Sequence, residues 1–270
     1  MKQLSGAELV GYIKERQARQ VRALRQAHHV LPKLAIVQTI DDPVIDTYVR
    51  LKKRYGEDIL IDVVNYKVSQ SEVIETIDRL NHDPSTHAVI VQLPLADIAQ
   101  TDDVVNRVIA SKDVDGLGAA PEFDPATALA INWLCAGYNI DLAAQQILII
   151  GQGRLVGAPL TKMWRASGHD VVVADKSTEN LSMLCRAATL IVTGVGSPGL
   201  VTSDMVRPDT IVIDAGTASE GGKIVGDLAP ELYGRDDLTM TPVRGGVGPL
   251  TVAALFDNVI RAASATIKQA

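Results

Sequence analysis

The sequence predicts an α/β protein of two domains, the C-terminal one a Rossmann-like dinucleotide-binding domain. Three observations in the residues point to two α/β domains. Short apolar runs alternate with stretches of helical periodicity along most of the 270 residues, the alternation that winds parallel sheets between helices. Aromatic residues make up only 4% of the chain, while Val, Ile, Leu and Ala are plentiful, which suits strands covered on both faces. A glycine loop, Gly151-Gln-Gly153-Arg-Leu-Val-Gly157, stands between an apolar run and a helical stretch.

The elements follow in order. Ser5-Gly-Ala-Glu8 reads as a capping box, and Leu9, Val10, Ile13, Val21 and Leu24 keep helical spacing behind it. Lys33 to Ile40 is a buried strand, and Asp41-Asp-Pro43 a turn. Residues 44–55 form a helix carrying Tyr48 and Lys52, and Ile59 to Tyr66 the next strand. Ser69-Gln-Ser-Glu72 opens a helix that runs to about Asn81. His87 to Pro94 is a strand and 102–111 a helix. Around 111–127 Gly and Pro occur without periodicity, so residues 1–120 are expected to form one domain and 121–246 another. The pattern then restarts: strands at Gln146–Ile150, Asp170–Ala174, Thr189–Gly194 and Thr210–Gly216, a helix at Leu155–Ser167, and a long last helix from Val247 to Lys268.

Composition narrows the function. Lys and Arg number 26 against 32 Asp and Glu, a net charge of −6, which argues against nucleic acid or an anionic membrane as partner. Cys135 and Cys185 form no CxxC and suit a reducing compartment. None of His28, His29, His82, His87 and His169 has metal-ligand spacing, so no metal is expected. Trp133 and Trp164 read as packing residues. The first residues are too polar for a secretory signal, and no apolar run approaches the ~20 residues of a membrane span. The expectation is a soluble, cytoplasmic protein.

Glycines at 151, 153 and 157 allow a tight turn and let backbone N–H groups approach a pyrophosphate at a helix N-terminus; Gln152 and Arg154 share that loop. The position between strand and helix favours this reading over an ordinary turn. Asp175 ends the second strand of the unit, where a carboxylate accepts from ribose hydroxyls and repels a 2′-phosphate. That favours NAD, while Lys176 and Ser177 beside it keep NADP open. Tyr48 and Lys52 share a helix face at i and i+4; a solvated face is the plain alternative. The same Tyr-x-x-x-Lys spacing occurs in short-chain dehydrogenases, but there the nucleotide loop precedes the pair, and here it follows. Gln92 closes an apolar strand where a ligand crevice would open. Asp115 precedes Gly116, where a plain turn is the alternative.

Jointly, Tyr48-x-x-x-Lys52, Val91-Gln-Leu-Pro-Leu95, Lys112-Asp-Val-Asp-Gly116, Gly157-Ala-Pro159, Gly222–Asp227 and Gly245-Gly-Val-Gly-Pro-Leu-Thr251 resemble the bifunctional methylenetetrahydrofolate dehydrogenase/cyclohydrolase (FolD) family through nearly the whole chain. The resemblance implies two α/β domains with a cleft between them, a C-terminal helix (247–270) returning to the first domain, and a homodimer. It implies oxidation of 5,10-methylenetetrahydrofolate to the methenyl form with NADP or NAD, then hydrolysis to 10-formyltetrahydrofolate, in one-carbon metabolism. By position it makes Lys52 the catalytic group of hydrolysis, packs Tyr48 on the folate, hydrogen-bonds Gln92 to Lys52, and gives the pterin to Asp115. Gly245, Gly246 and Pro249 would line the substrate cleft. Gly194 and Thr217 would join the glycine loop at the cofactor. No metal is implied.

Three departures accompany the resemblance. Pro125-Ala-Thr-Ala-Leu-Ala130 replaces the family's Pro-Cys-Thr-Pro-x-Gly, after a shortened loop. Gln152 stands where Arg is common and Gly153 where the family has Ser, which removes phosphate partners and favours NAD. Arg244 replaces the second Pro of Pro-x-Pro-Gly-Gly. Two other readings follow: a non-catalytic or impaired paralogue, opposed by retention of Lys52 and Gln92, and another two-domain dehydrogenase, opposed by the Val91–Leu95 and Lys112–Gly116 motifs.

Overall fold

A computed structural model describes residues 2–220 and 223–268. They form two compact units. One takes the residues up to Val10 together with Thr127–Thr251; the other takes Gly11–Ala126 and the chain from Val252 onward. Gly222 of the Gly222–Asp227 motif and the last two residues of the expected 247–270 helix lie outside the described residues.

The second unit is built on a three-stranded parallel sheet. Lys33–Gln38 runs centrally between Asp62–Lys67 and Ala88–Val91, with Leu34 opposite Val63 and Ala88. The central strand is buried from Leu34 on, and Ala88–Val91 throughout, which is why these strands read as unbroken apolar runs. The Pro43–Asp58 helix starts where the Asp42 carboxylate accepts the Val44 and Ile45 N–H groups at 2.8 and 3.1 Å. Pro43 sits in its first turn, where a missing N–H costs nothing.

Three expected elements are corrected. The strand assigned from Ile59 starts at Asp62. Residues 59–61 instead close the preceding helix: the Ile59 and Ile61 N–H groups both return to the Gly56 carbonyl, and Leu60 has φ of 66°. Ile59 and Ile61 are buried plugs, so their apolarity came from the core and not from pairing. The helix opening at Ser69 begins at Val73; Glu72 does return to the Ser69 N–H, at 3.0 Å, but the box orders a turn ahead of the helix. The helix expected over 102–111 ends at Val105. Beyond it, i to i−3 turns bury Val108 while the Asn106 side chain is drawn off to the Ala119 N–H at 2.7 Å.

The other unit holds a parallel sheet in the order Lys2–Gln3, Thr239–Met240, Ile211–Asp214, Leu190–Thr193, Ile147–Ile150, Val171–Ala174. Its first two strands are two residues long, too short for any periodicity to reveal. Ile147–Ile150 has Val171–Ala174 on one side and Leu190–Thr193 on the other. The sheet order reverses there, and open parallel sheets bind ligands at the carboxyl ends of strands at such a point. The altered 125–130 segment supplies the first turns of a helix, Ala126–Gly137, in which Ala126, Ala128 and Ala130 are buried. Cys135 and Cys185 are free and buried, and burial pushes their thiols up to about 12 and about 11. The Trp164 indole is buried and donates to Asn132 at 3.2 Å.

Candidate active site

Four of the residues singled out in the sequence lie in the three-stranded unit. Lys52 and Tyr48 lie one turn apart on the Pro43–Asp58 helix, both half-buried. Gln92 follows the end of Ala88–Val91, its N–H still bonded to the Val37 carbonyl at 2.8 Å. The Lys52 ammonium donates to Gln92 Oε1 at 2.7 Å, and Gln92 Nε2 donates to the Leu93 carbonyl at 3.2 Å. The second bond turns the amide oxygen, not the nitrogen, toward the lysine, so the neighbour adds no charge.

Asp115 is the charged group close to this pair. Burial pushes the Lys52 ammonium below the usual lysine range, and Asp115 opposes that shift. Burial likewise pushes the Asp115 carboxyl above the usual range; Lys52 opposes it and Asp113 adds to it. Desolvation prevails for both groups because each charge must shed water to sit here. The result is a lysine that loses its proton more easily than a surface lysine, held by an uncharged acceptor.

The Lys112–Gly116 motif divides its labour. Lys112 donates to three carbonyls at the end of the Val73–His82 helix, Leu80 at 2.9 Å, Asn81 at 2.9 Å and Asp83 at 2.8 Å. The carboxylate that builds the turn is Asp113, which accepts the Gly116 and Gly118 N–H groups at 3.1 and 2.8 Å. Gly116 has φ of 67°, and a Cβ there would lie 2.7 Å from the Phe123 carbonyl oxygen. The buried Asn258 amide pins the turn by donating to the Val114 and Asp124 carbonyls, both at 2.9 Å. Asp115 is thereby released from turn building and left beside Lys52. An Asp-x-Asp-Gly spacing announces the turn; nothing in it says which Asp makes it, and Asn258 carries no local signal at all.

The residues expected on the cofactor side lie in the six-stranded unit. Gly151 takes φ of 95°, and a Cβ on Gly157 would lie 1.9 Å from the Gly151 oxygen, so the loop closes on itself only with glycine there. Around Gly153 the nearest atom to a Cβ is the Gly194 oxygen at 3.9 Å, which leaves room above the start of the Gly157–Ala166 helix. That open cradle of backbone at a helix N-terminus fits a dinucleotide pyrophosphate. Gln152 folds back, donating to the Gly151 carbonyl at 2.9 Å and the Thr161 hydroxyl at 3.1 Å. Arg154 is exposed on the same loop. Asp175 is exposed at the end of Val171–Ala174; its Oδ1 accepts the Ser177 hydroxyl at 2.6 Å and N–H at 2.8 Å, which holds the carboxyl below its ordinary value. Lys176 between them is exposed. Gly194 packs under Val156, and the Thr217 carbonyl abuts Gly196.

Gly245 and Gly246 carry a packing role. The Gly245 carbonyl accepts the Ala7 N–H at 3.0 Å, and a Cβ on Gly6 would lie 2.1 Å from the Gly246 oxygen. Pro249 is half-buried in the first turn of Val247–Ala265. Among the described residues no group of three or more His, Cys, Asp or Glu is placed to hold a metal, and no helix is long and apolar enough to cross a membrane.

Two family models match the chain. Residues 4–115 match the family model described as tetrahydrofolate dehydrogenase/cyclohydrolase, catalytic domain, and residues 125–267 its NAD(P)-binding domain. The chain is 37% identical to the bifunctional protein FolD of Campylobacter jejuni strain RM1221, covering 96% of this chain and 97% of the relative. A crystal structure of the bifunctional FolD dehydrogenase/cyclohydrolase from Campylobacter jejuni superposes with a TM-score of 0.92 at 35% identity, over 98% and 99% of the two chains. A 5,10-methylenetetrahydrofolate dehydrogenase from the silkworm Bombyx mori gives 0.91 at 28% identity, over 99% of each.

Proposed function

The chain belongs to the tetrahydrofolate dehydrogenase/cyclohydrolase family, and from that premise we propose that it oxidises 5,10-methylenetetrahydrofolate with NAD(P)⁺ and hydrolyses the product to 10-formyltetrahydrofolate. The observation that carries the hydrolytic half is the Lys52–Gln92 bond at 2.7 Å beside Asp115. A nicotinamide cofactor, when bound, accepts the hydride that leaves the methylene carbon. The methenyl carbon formed is cationic and open to water. Lys52, its proton loosened by burial, takes a proton from the attacking water; the proton is then available to the ring nitrogen as its bond to that carbon breaks. One water is consumed and one proton released. Gln92 holds the lysine in line without adding a charge that would keep it protonated. Asp115 binds the pterin and Tyr48 packs against the folate. Gly245, Gly246 and Pro249 line the substrate site, and Gly151, Gly153, Arg154, Gly157, Gly194 and Thr217 form the dinucleotide site.

Asp175 and Gln152 support NAD over NADP. The carboxylate faces the place of the adenosine ribose and repels a 2′-phosphate. Gln152 is tied to its own loop and offers no positive charge. The same unit supports a homodimer: Val171–Ala174 is an edge strand, with Val172 47% exposed and Met183 nearby in sequence 59% exposed, an apolar edge that pairing would cover. The cytoplasm is the proposed compartment, in keeping with two free cysteines. With all four folate-side residues present, no observation favours a non-catalytic paralogue.

The test is steady-state turnover of purified protein on 5,10-methylenetetrahydrofolate with NAD⁺ and NADP⁺ in parallel. Reduction of either establishes the dehydrogenase, with NAD⁺ expected to be the better substrate. Folded protein that turns over neither would overturn the reading.

A further inference from the structure

Asp227 is fully buried, at 0% exposure, and its carboxylate accepts four hydrogen bonds. The Thr193 hydroxyl donates at 2.6 Å, and the N–H groups of Val195, Gly196 and Ser197 donate at 2.8, 2.8 and 2.7 Å. Those four use the acceptor sites of a carboxylate fully. Asp214 supports it from below, accepting the N–H groups of Asp227 at 2.9 Å, Leu228 at 3.2 Å and Gly216 at 2.9 Å. The packing leaves no slack. A Cβ on Gly216 would lie 2.3 Å from the Asp227 carboxyl, and one on Gly226 2.0 Å from that of Asp214.

The loop held in this way stands at the edge where a dinucleotide would lie. It follows Leu190–Thr193, which pairs with Ile147–Ile150 where the sheet order reverses. It also touches the glycine loop: a Cβ on Gly151 would meet the Val195 side chain at 2.9 Å and the Gly194 oxygen at 3.3 Å. Asp175 marks the adenosine end, on the opposite side of Ile147–Ile150. The 194–197 loop therefore faces the other half of the molecule, with the Val195 side chain 48% exposed.

We propose that Asp227 is a positioning residue for hydride transfer, holding Val195–Ser197 in the conformation that seats the nicotinamide half of the cofactor. The inference rests on the dehydrogenase reading above. A carboxylate is required because every group hydrogen-bonded to it is a donor. Asn in its place would turn an NH₂ toward an N–H and leave at least one donor without an acceptor.

The experiment is Asp227→Asn, with dehydrogenase kinetics, calorimetric dinucleotide Kd and hydrolysis of methenyltetrahydrofolate measured on one preparation. The last activity uses Lys52, in the other unit. Dehydrogenase kcat/KM for the dinucleotide is expected to fall about tenfold or more, with Kd weakened to match and hydrolysis within about twofold of wild type. Should that variant fail to fold, Thr193→Val, which removes one donor at nearly constant volume, is expected to show the same split at about threefold. Both activities falling together would mean a merely structural role and would overturn the proposal, as would a dinucleotide Kd and kcat/KM within about twofold of wild type. Wild-type protein with no folate turnover, but with dinucleotide binding that Asp227→Asn weakens, would overturn the folate reading and uphold this one.

Discussion

Replacing Lys52 with Met tests the hydrolytic centre most directly. Met is unbranched and of similar length, so it fills the same space on the Pro43–Asp58 helix without the amine. Two opposed effects set the stability change. Gln92 Oε1 loses the donor it has at 2.7 Å, which costs about 1–3 kcal/mol where water cannot replace it. Against that, an ammonium held below its ordinary pKa by burial no longer has to be desolvated. The net change is expected to stay under about 2 kcal/mol, a Tm shift of a few degrees for a chain of this size. The activity change is much larger. A positioned acid–base group is worth about 10²–10⁴-fold, so hydrolysis of methenyltetrahydrofolate should fall by that factor while dinucleotide reduction persists. The assay follows both on one preparation, with thermal unfolding as the control for folding. In the wild type, the rate should rise with pH as Lys52 loses its proton, with a midpoint below the ordinary lysine value of 10.5 because burial lowers it; Lys52→Met should flatten that rise. Hydrolysis within tenfold of wild type would refute the role given to Lys52.

Three further outcomes follow from the same geometry. Gln92→Glu puts a carboxylate on the ammonium and favours its charged form; hydrolysis should drop about tenfold or more and its pH midpoint move upward, and an unchanged midpoint would count against the amide's role. Asp175→Ser removes the charge proposed to face the ribose, so the NADP⁺ to NAD⁺ ratio of kcat/KM should rise about tenfold, measured by initial rates with each dinucleotide. The Thr86 and Ser85 hydroxyls and the Ser85 N–H hold Asp83 at about 2, below its ordinary 3.8. Its contribution to stability is therefore present above pH 3.8 and lost as pH falls through about 2; Asp83→Asn should flatten the denaturant midpoint across that window, and an unaltered profile would refute the assignment.

Features encoded by local constraints are legible in the residues alone. The glycine loop was legible because a φ of 95° at Gly151 and a 1.9 Å approach at Gly157 admit little else. The buried strands were legible because parallel strands covered on both faces need apolar residues at every position. The family motifs brought Lys52, Gln92 and Asp115 to notice together. Local patterns also misled where burial and pairing part company: Ile59 and Ile61 are as apolar as a strand, yet they plug a helix end, and the run to residue 111 keeps helical spacing through turns. Long-range packing alone sets which carboxylate of Lys112-Asp-Val-Asp-Gly116 builds the turn and which lies beside the lysine. The same packing sets Asp227 against a loop 30 to 32 residues earlier. Lys52 and Gln92 stand 40 residues apart, joined because one caps a strand whose register the central strand fixes. The lowered proton affinity of Lys52 is not a property of lysine as a residue type: it arises when folding removes water from the ammonium, against the pull of Asp115.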